Sequence, residues 1–339
     1  MIVSVVSMPA GSATHTGLPE ARERLAGSDF LLVDVHLPDD PTTDDPSTGD
    51  AKTDERPVIE QLGLEAETPY WFGRVGEPAR ADFLGDRAGF VVPVFVDDRI
   101  VRIHALVTER HLVTLHRGPA TPLENFIARL RQEGPPDTVA MLFLLLQEAL
   151  ETFRRAAVAD LLVVEDLEDE MFEKRNPQQV YRLAQLRRRA ALLHHTLLPY
   201  LQVTDETFTR RMLNRGFPEQ RQRLAREFQH AGRLVLTDVE ALQDATRRAS
   251  ASYSSLAAGE QNGVINRLAI VSTIFLPLTF LTGYFGMNFS FLTDEMESRA
   301  VFWLLAVGLQ VGVLFAALYV LHRTHLWRRL RNDDDLEDR

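Results

Sequence analysis

The sequence contains no cysteine, so disulfides and thiolate metal sites are excluded. It is short of positive charge: 37 Lys and Arg stand against 48 Asp and Glu, a formal net charge of −11. A nucleic-acid partner would favour a basic face, and none is expected here. No Gly-rich phosphate loop, His-Glu-x-x-His, dinucleotide fingerprint or nucleophile-elbow serine is present, and an enzyme therefore has no positive support. The N-terminal stretch Met1 to Ser12 carries no basic residue ahead of its short apolar run, and a signal peptide is not expected. Long uncharged runs are missing until Leu268. Most of the chain thus reads as water-facing.

From Leu268 to Asn288 there is no charged residue, a run long enough at about 1.5 Å per residue to cross a hydrocarbon core of about 30 Å. A second uncharged run follows at Ala300 to Leu321. At about 100° per residue, Ile265, Leu268, Ser272, Leu276, Thr279, Gly283 and Gly286 share one helical face. Ile270, Ile274, Leu278, Leu281 and Phe285 share the opposite one. The first face is small and hydroxyl-bearing, the second bulky and apolar. Two readings are open for the first: a surface that lets helices pack closely, or the lining of a pore. Pro277 lies within the span, where neighbouring helices can satisfy the freed carbonyl. Arg247, Arg248 and Arg267 precede the first run, and His322, Arg323, Arg328 and Arg329 follow the second. The loop between holds Asp294, Glu295 and Glu297 against Arg299. The positive-inside rule then places both ends in the cytoplasm and the loop outside.

Before the spans, Phe30 to His36, Gly89 to Val96, Ile100 to Leu106 and His111 to His116 read as strands by their β-branched, apolar runs. Asp97-Asp98-Arg99 offers a turn, and a mixed or antiparallel sheet covered by helices is expected. The Pro-, Asp- and Thr-rich insert at 38–57 has little to bury and is read as a solvated loop. Pro57 to Gly63 reads as a short helix stopped by glycine. Met141 to Lys174 is a long amphipathic helix ending in the acidic run Glu165 to Glu170, and Asn176-Pro177 breaks it. The next helix, to roughly Gln202, carries Arg182, Arg187, Arg188 and Arg189, so an antiparallel hairpin with complementary charges is expected.

No proline intervenes between Pro218 and Pro277. Leu224, Phe228, Ala231 and Val235, then Leu242, Ala245, Ala249, Ser252, Leu256, Gly259 and Gly263, recur in one heptad register. Asp238 breaks that seam, with Val239 one place off. Either the helix rolls to bury Val239, or a carboxylate is kept near the axis to meet a cation. Run on into the span, this helix would reach about 100 Å. The expected organisation is an α/β domain (1–135), a helical hairpin (136–204), a stalk continuing into the first span (205–288, membrane part 268–288), an outer loop (289–299), a second span (300–321) and a cytoplasmic tail (322–339).

Pro277-Leu278-Thr279 followed by Tyr284-Phe285-Gly286-Met287-Asn288-Phe289 resembles the CorA family of magnesium channels, in which a Gly-Met-Asn tripeptide closes the first of two C-terminal membrane helices. His104 to His116 is also similar to the sheet of that family's soluble domain. The resemblance implies a CorA-like funnel: an α/β cytoplasmic domain, long helices and two C-terminal membrane helices, assembled as a homopentamer in the inner membrane. It implies that Asn262, Leu268, Ser272, Leu276, Thr279 and Gly283 line the conduit, with Gly286, Met287 and Asn288 as the selectivity ring. Mg²⁺, with Co²⁺ and Ni²⁺ as further cargo, would be the transported ion, and cytosolic Mg²⁺ the regulator. Glu227, Asp238 and Asp244 are candidate regulatory ligands. No organic cofactor is implied. Where many members read Met-Pro-Glu-Leu after the tripeptide, this chain has Phe289-Ser290-Phe291-Leu292. A zinc transporter of the ZntB type and a membrane-anchored scaffold are the alternatives.

Overall fold

The structure is a computed structural model that describes residues 1–8, 12–27, 30–38, 56–74, 76–118, 121–214, 217–287, 300 and 302–323. The insert at 39–55, Asn288 with the loop to 299, and the tail from 324 lie outside the described residues. Two compact units divide the chain, Met1–Ser250 and Ala251–Arg339.

The first unit is built on a seven-stranded sheet: β1 (Ile2–Met8), β2 (Ser12–Thr16), β3 (Phe30–Leu37), β4 (Arg80–Leu84), β5 (Arg87–Val96), β6 (Arg99–Val107) and β7 (His111–Arg117). Their order is β2-β1-β3-β7-β6-β5-β4. Every pairing is antiparallel except β3 with β7, where Val33 lies opposite Val113. Residues two apart on a strand share a face. One face sends Val3, Val5, Leu31, Val33, Val35, Val113 and Leu115 into a core with α1 (Leu18–Leu25), α2 (Arg56–Leu62), Trp71 and Phe72. Gly63 ends α2 at φ +72°, a backbone setting at which glycine has no side chain to strain. The β5–β6 turn is the two-residue pair Asp97-Asp98, at φ +46° and +64°, with Val96 opposite Arg99. Positive φ at both central residues is what a type I′ two-residue hairpin needs, and aspartate tolerates it better than most side chains.

The other side of the sheet meets α3 (Thr121–Glu133), α4 (Thr138–Glu173) and α5 (Pro177–Met212). Asp137 caps α4 by accepting from the Ala140 N–H at 2.7 Å. Asn176 and Gln179 form a reciprocal capping box on α5, with Pro177 at its first position, which offsets the unpaired N–H groups of the first turn. The expected complementary charges meet: Arg182 with Glu170 at 3.0 Å and Arg189 with Asp160 at 2.7 Å. Arg189 also pairs with Asp98 of the β5–β6 turn, tying the hairpin to the sheet. The sequence reading ended α5 near Gln202, but the helix contains Pro199 and continues to Met212. Leu197, Tyr200, Thr204 and Phe208 keep an inward stripe going, and that burial outweighs the local cost of proline.

The last helix of this unit, α6 (Glu219–Phe285), runs on into the second unit. Its buried stripe is Ala225, Phe228, Gly232, Val235, Val239, Leu242, Thr246 and Ala249, an unbroken three-four alternation. Val239 is fully buried, and Asp238 sits beside the seam, half-exposed. The helix has rolled by one position from the register through Leu224, Ala231 and Asp238. The reason is local: at Gly232 a Cβ would stand 2.5 Å from Leu201 Cδ2, so α5 sits where only glycine leaves room, and Phe228 meets Tyr200 and Phe208. Up to Ala249 the heptad pattern therefore records packing inside one chain.

His104 on β6 carries a pH prediction. It is buried, its Nδ1 accepts from the Gly73 N–H at 3.0 Å, and its ring stands edge-on to Phe72. Burial, and secondarily the charge of Arg102, lowers its pKa to about 4. With the folded value below the unfolded one, its neutral form stabilises the fold above pH about 6.5, and that contribution is lost as pH falls toward about 4. His111 is lowered by burial in the same sense, against the opposing pull of Glu67. Denaturant unfolding followed at Trp71, whose ring centroid is 6.4 Å from that of His104, should lose up to about 3 kcal/mol through His104 across that window. His104→Asn, which keeps an acceptor but cannot titrate, should lose correspondingly less; equal losses would remove His104 as the cause.

Candidate functional site

In the second unit α6 supplies an uncharged stretch through which Pro277 is accommodated without ending the helix. Among the described residues it is the one helix long and apolar enough to cross a membrane. The chain resumes as a π-helical segment, Phe302–Gly308, followed by the shorter apolar helix α7 (Leu309–Arg323). Gln310 of α7 donates to Thr282 Oγ1 of α6 at 3.2 Å. Ile270 and Leu321 are both buried, as expected if the two helices run antiparallel from that contact.

The two faces seen in the sequence now differ in surroundings. Ile270 is buried, and Ile274, Leu278, Leu281 and Phe285 are half-buried. The bulky face is thus the one the chain covers itself. Asn262, Leu268, Ser272, Leu276, Thr279, Gly283 and Gly286 are all exposed, Leu276 to 73%. A Cβ placed on Gly259, Gly263 or Gly283 would meet nothing within 4 Å. The stripe is therefore brought together and left open. Met287 is 41% exposed, while Asn288, the last of the tripeptide, lies outside the described residues.

Hydroxyl chemistry on this helix is directional. Thr273, Thr279 and Thr282 each donate to the carbonyl four residues back, Ala269, Phe275 and Leu278, at 2.8, 2.7 and 2.7 Å. With the proton spent on the backbone, the oxygen lone pairs remain to accept from an outside donor. Pro277 has no N–H for the Thr273 carbonyl, which leaves one more acceptor in the span. Of the three threonines, only Thr279 lies on the open stripe, with Thr273 and Thr282 flanking it on opposite sides. An uncharged acceptor there can receive a hydrogen bond from the waters around a cation without binding it as tightly as a carboxylate would.

The candidate regulatory acids are not brought together within the chain. Glu227 pairs with Arg223 at 2.9 Å and Asp244 with Arg247 at 3.3 Å, and Asp238 lies between them along the same helix. Among the described residues no group of three or more His, Asp or Glu is placed to hold a metal ion. Sequence reasoning passed over Gln310 and Thr282. The available signal was a lone amide: from Leu304 to Leu318 every other residue is apolar or glycine.

Residues 52–323 match the family described as CorA-like Mg2+ transporter protein. The chain belongs to this family. The zinc transport protein ZntB of Yersinia enterocolitica is 25% identical over 221 residues, 64% of this chain and 66% of that protein. The cobalt/magnesium transport protein CorA of Thermotoga maritima is 26% identical over 164 residues, 48% of this chain and 45% of that one. This chain thus spans less than two thirds of the length of these curated relatives. The complete CorA magnesium transporter of Methanocaldococcus jannaschii superposes with a TM-score of 0.71 at 16% identity, covering 95% of this chain and 98% of that structure. The full-length CmaX protein gives 0.66 at 19%, covering 98% and 97%. At such identities these likenesses show the fold: an α/β sheet domain, a long helix with a strongly apolar span, and a short apolar C-terminal helix.

Proposed function

We propose that this protein is a membrane channel for hydrated divalent cations, Mg²⁺ foremost, formed by five copies around the open stripe of α6. The observation that carries the reading is that α6 covers its bulky face at Ile270, Ile274, Leu278, Leu281 and Phe285 and leaves open the stripe that bears Ser272, Thr279 and Gly283, together with the flanking Val271, Phe275 and Phe280. A lipid anchor has no use for such a stripe, whereas helices converging on a conduit need small residues to approach and oxygens to meet water. Leu268, Ser272, Leu276, Thr279 and Gly283 would line the conduit, with Asn262 at its cytoplasmic end and Gly286, Met287 and Asn288 at its outer mouth. Magnesium dehydrates reluctantly and keeps its waters, which suits acceptors without net charge. A potential of about 100 mV, inside negative, drives entry of a divalent ion by about 4.6 kcal/mol, so no further energy source is needed. Both termini would face the cytoplasm. Cytosolic Mg²⁺ bridging carboxylates of neighbouring copies would hold the channel closed, and Glu227, Asp238 and Asp244 are offered as ligands.

A second reading, zinc transport, is favoured by the zinc transporters among the relatives. Flux into proteoliposomes decides between them, with Mg²⁺, Zn²⁺, Co²⁺ and Ni²⁺ compared side by side in pentamers verified by native mass spectrometry. The expected result is Mg²⁺ entry that falls when millimolar Mg²⁺ is loaded on the soluble-domain side. Entry of Zn²⁺ with Mg²⁺ refused would establish the second reading. No flux with any of the four ions would leave a membrane-anchored scaffold.

A further inference from the structure

Gln310 is the only polar side chain between Leu304 and Leu318. An amide in an apolar stretch is costly unless paired. Its partner is specific: one Nε2–H donates to Thr282 Oγ1 at 3.2 Å. Thr282 is a junction. Its own hydroxyl donates to the Leu278 carbonyl at 2.7 Å, and its carbonyl accepts the Gly286 N–H at 3.0 Å. A row of hydrogen bonds therefore runs from the second helix, through one threonine, to the first residue of the Gly-Met-Asn tripeptide.

The position matters as much as the bond. Thr282 stands one turn, about 6 Å, before Gly286 and is rotated from it by only about 40°, and from Thr279 by about 60°. It flanks the open stripe. At the same point the helix is ending: beyond the Gly286 bond, among the described residues, Met287 N–H donates three residues back to the Tyr284 carbonyl, at 3.3 Å. The last turn of a helix frays unless something outside it holds it, and here the outside hold is an amide on a different helix.

Resting on the channel reading above, we infer that Gln310 is a positioning residue for the outer mouth: by holding Thr282 it sets the rotation and order of the last turn of α6, and so the presentation of Gly286 and Met287. It touches no cargo ion. An interhelical hydrogen bond in a membrane changes equilibria by about three- to tenfold, which is the size of effect to look for.

The test uses the full chain in lipid nanodiscs and proteoliposomes, as Gln310→Leu, Thr282→Val, the double variant and Thr282→Ser. Hydrogen–deuterium exchange over 282–287 is read without reference to transport. Each apolar single variant should exchange about three- to tenfold faster there, the double no faster than the singles, and Thr282→Ser like the wild type. In flux, both apolar singles should shift the Mg²⁺ to Co²⁺ ratio, which mere loss of active protein would not move. Unchanged exchange and ion ratio in Gln310→Leu, or single effects that multiply in the double, would overturn the inference. Should Gln310→Leu fail to assemble, the contrast between Thr282→Val and Thr282→Ser decides: a difference supports the clamp and identity refutes it. A wild-type protein without any divalent flux would sink the channel reading, and the exchange data would still decide the clamp.

Discussion

Asn288→Ala is expected to assemble as the wild type does and to lose most of its Mg²⁺ flux, by about tenfold or more, whereas Phe291→Ala costs much less. In the channel reading five copies of Asn288 ring the outer mouth, and each amide oxygen accepts a hydrogen bond from the waters around the arriving ion. A tenfold loss corresponds to about 1.4 kcal/mol in the barrier, less than one net hydrogen bond for each of five removed amides would supply. The ring carries no charge, so its hold on the hydrated ion is weak enough for release. Asn288→Asp should therefore err the other way, adding up to five charges and slowing release. Gly286 belongs to the same argument, since without a side chain the backbone can approach the ion's water shell. The measurement is proteoliposome flux normalised to pentamer, with Mg²⁺ and Co²⁺ in parallel. Wild-type flux and ion preference in a well-assembled Asn288→Ala protein would show that the tripeptide is structural and that selectivity lies elsewhere on α6.

In Phe228→Ala the first unit should lose about 3–5 kcal/mol of stability. Phe228 is 1% exposed, with ring centroids 5.7 Å from Phe208, 6.2 Å from Tyr200 and 6.5 Å from Phe143. Phe208 in turn lies 6.0 Å from Phe90 of β5. One aromatic cluster thus joins the sheet, α4, α5 and the start of α6. Removing a ring from its middle leaves a cavity whose rigid walls cannot all close in. Phe172→Ala provides the contrast: that side chain is 70% exposed near the end of α4, and its loss should change stability by only about 0.5 kcal/mol. Denaturant midpoints of the two variants, taken side by side, check the difference. Equal midpoints would mean that the cluster does not hold α6 to the sheet.

The largest features were legible in the sequence because each rests on a single strong physical term. Twenty uncharged residues are a matter of transfer free energy, and the span over Leu268 to Phe285 is there as helix. Alternating β-branched runs around Asp97-Asp98 could pair only as a hairpin, and acidic and basic helices separated by Asn176-Pro177 could relieve their charge by folding together. What remained hidden depended on what each face meets. The heptad pattern of α6 allows two adjacent seams that share Phe228, Val235, Leu242 and Ala249; only the neighbouring α5, pressed against Gly232, selects the one through Val239. The continuation of α5 from about Gln202 to Met212 was hidden because propensity is local, and the aromatic cluster that carries the helix on is not. The parallel pairing of β3 with β7 joins residues about eighty apart, which no short-range pattern encodes. The same holds at the candidate site. Periodicity placed Leu268, Ser272, Leu276, Thr279 and Gly283 on one face, but that this face stays open while Ile270 is buried, and that Gln310 of α7 reaches Thr282, were decided by the tertiary structure. A helical period says which residues lie together; the element that packs against them decides what they do.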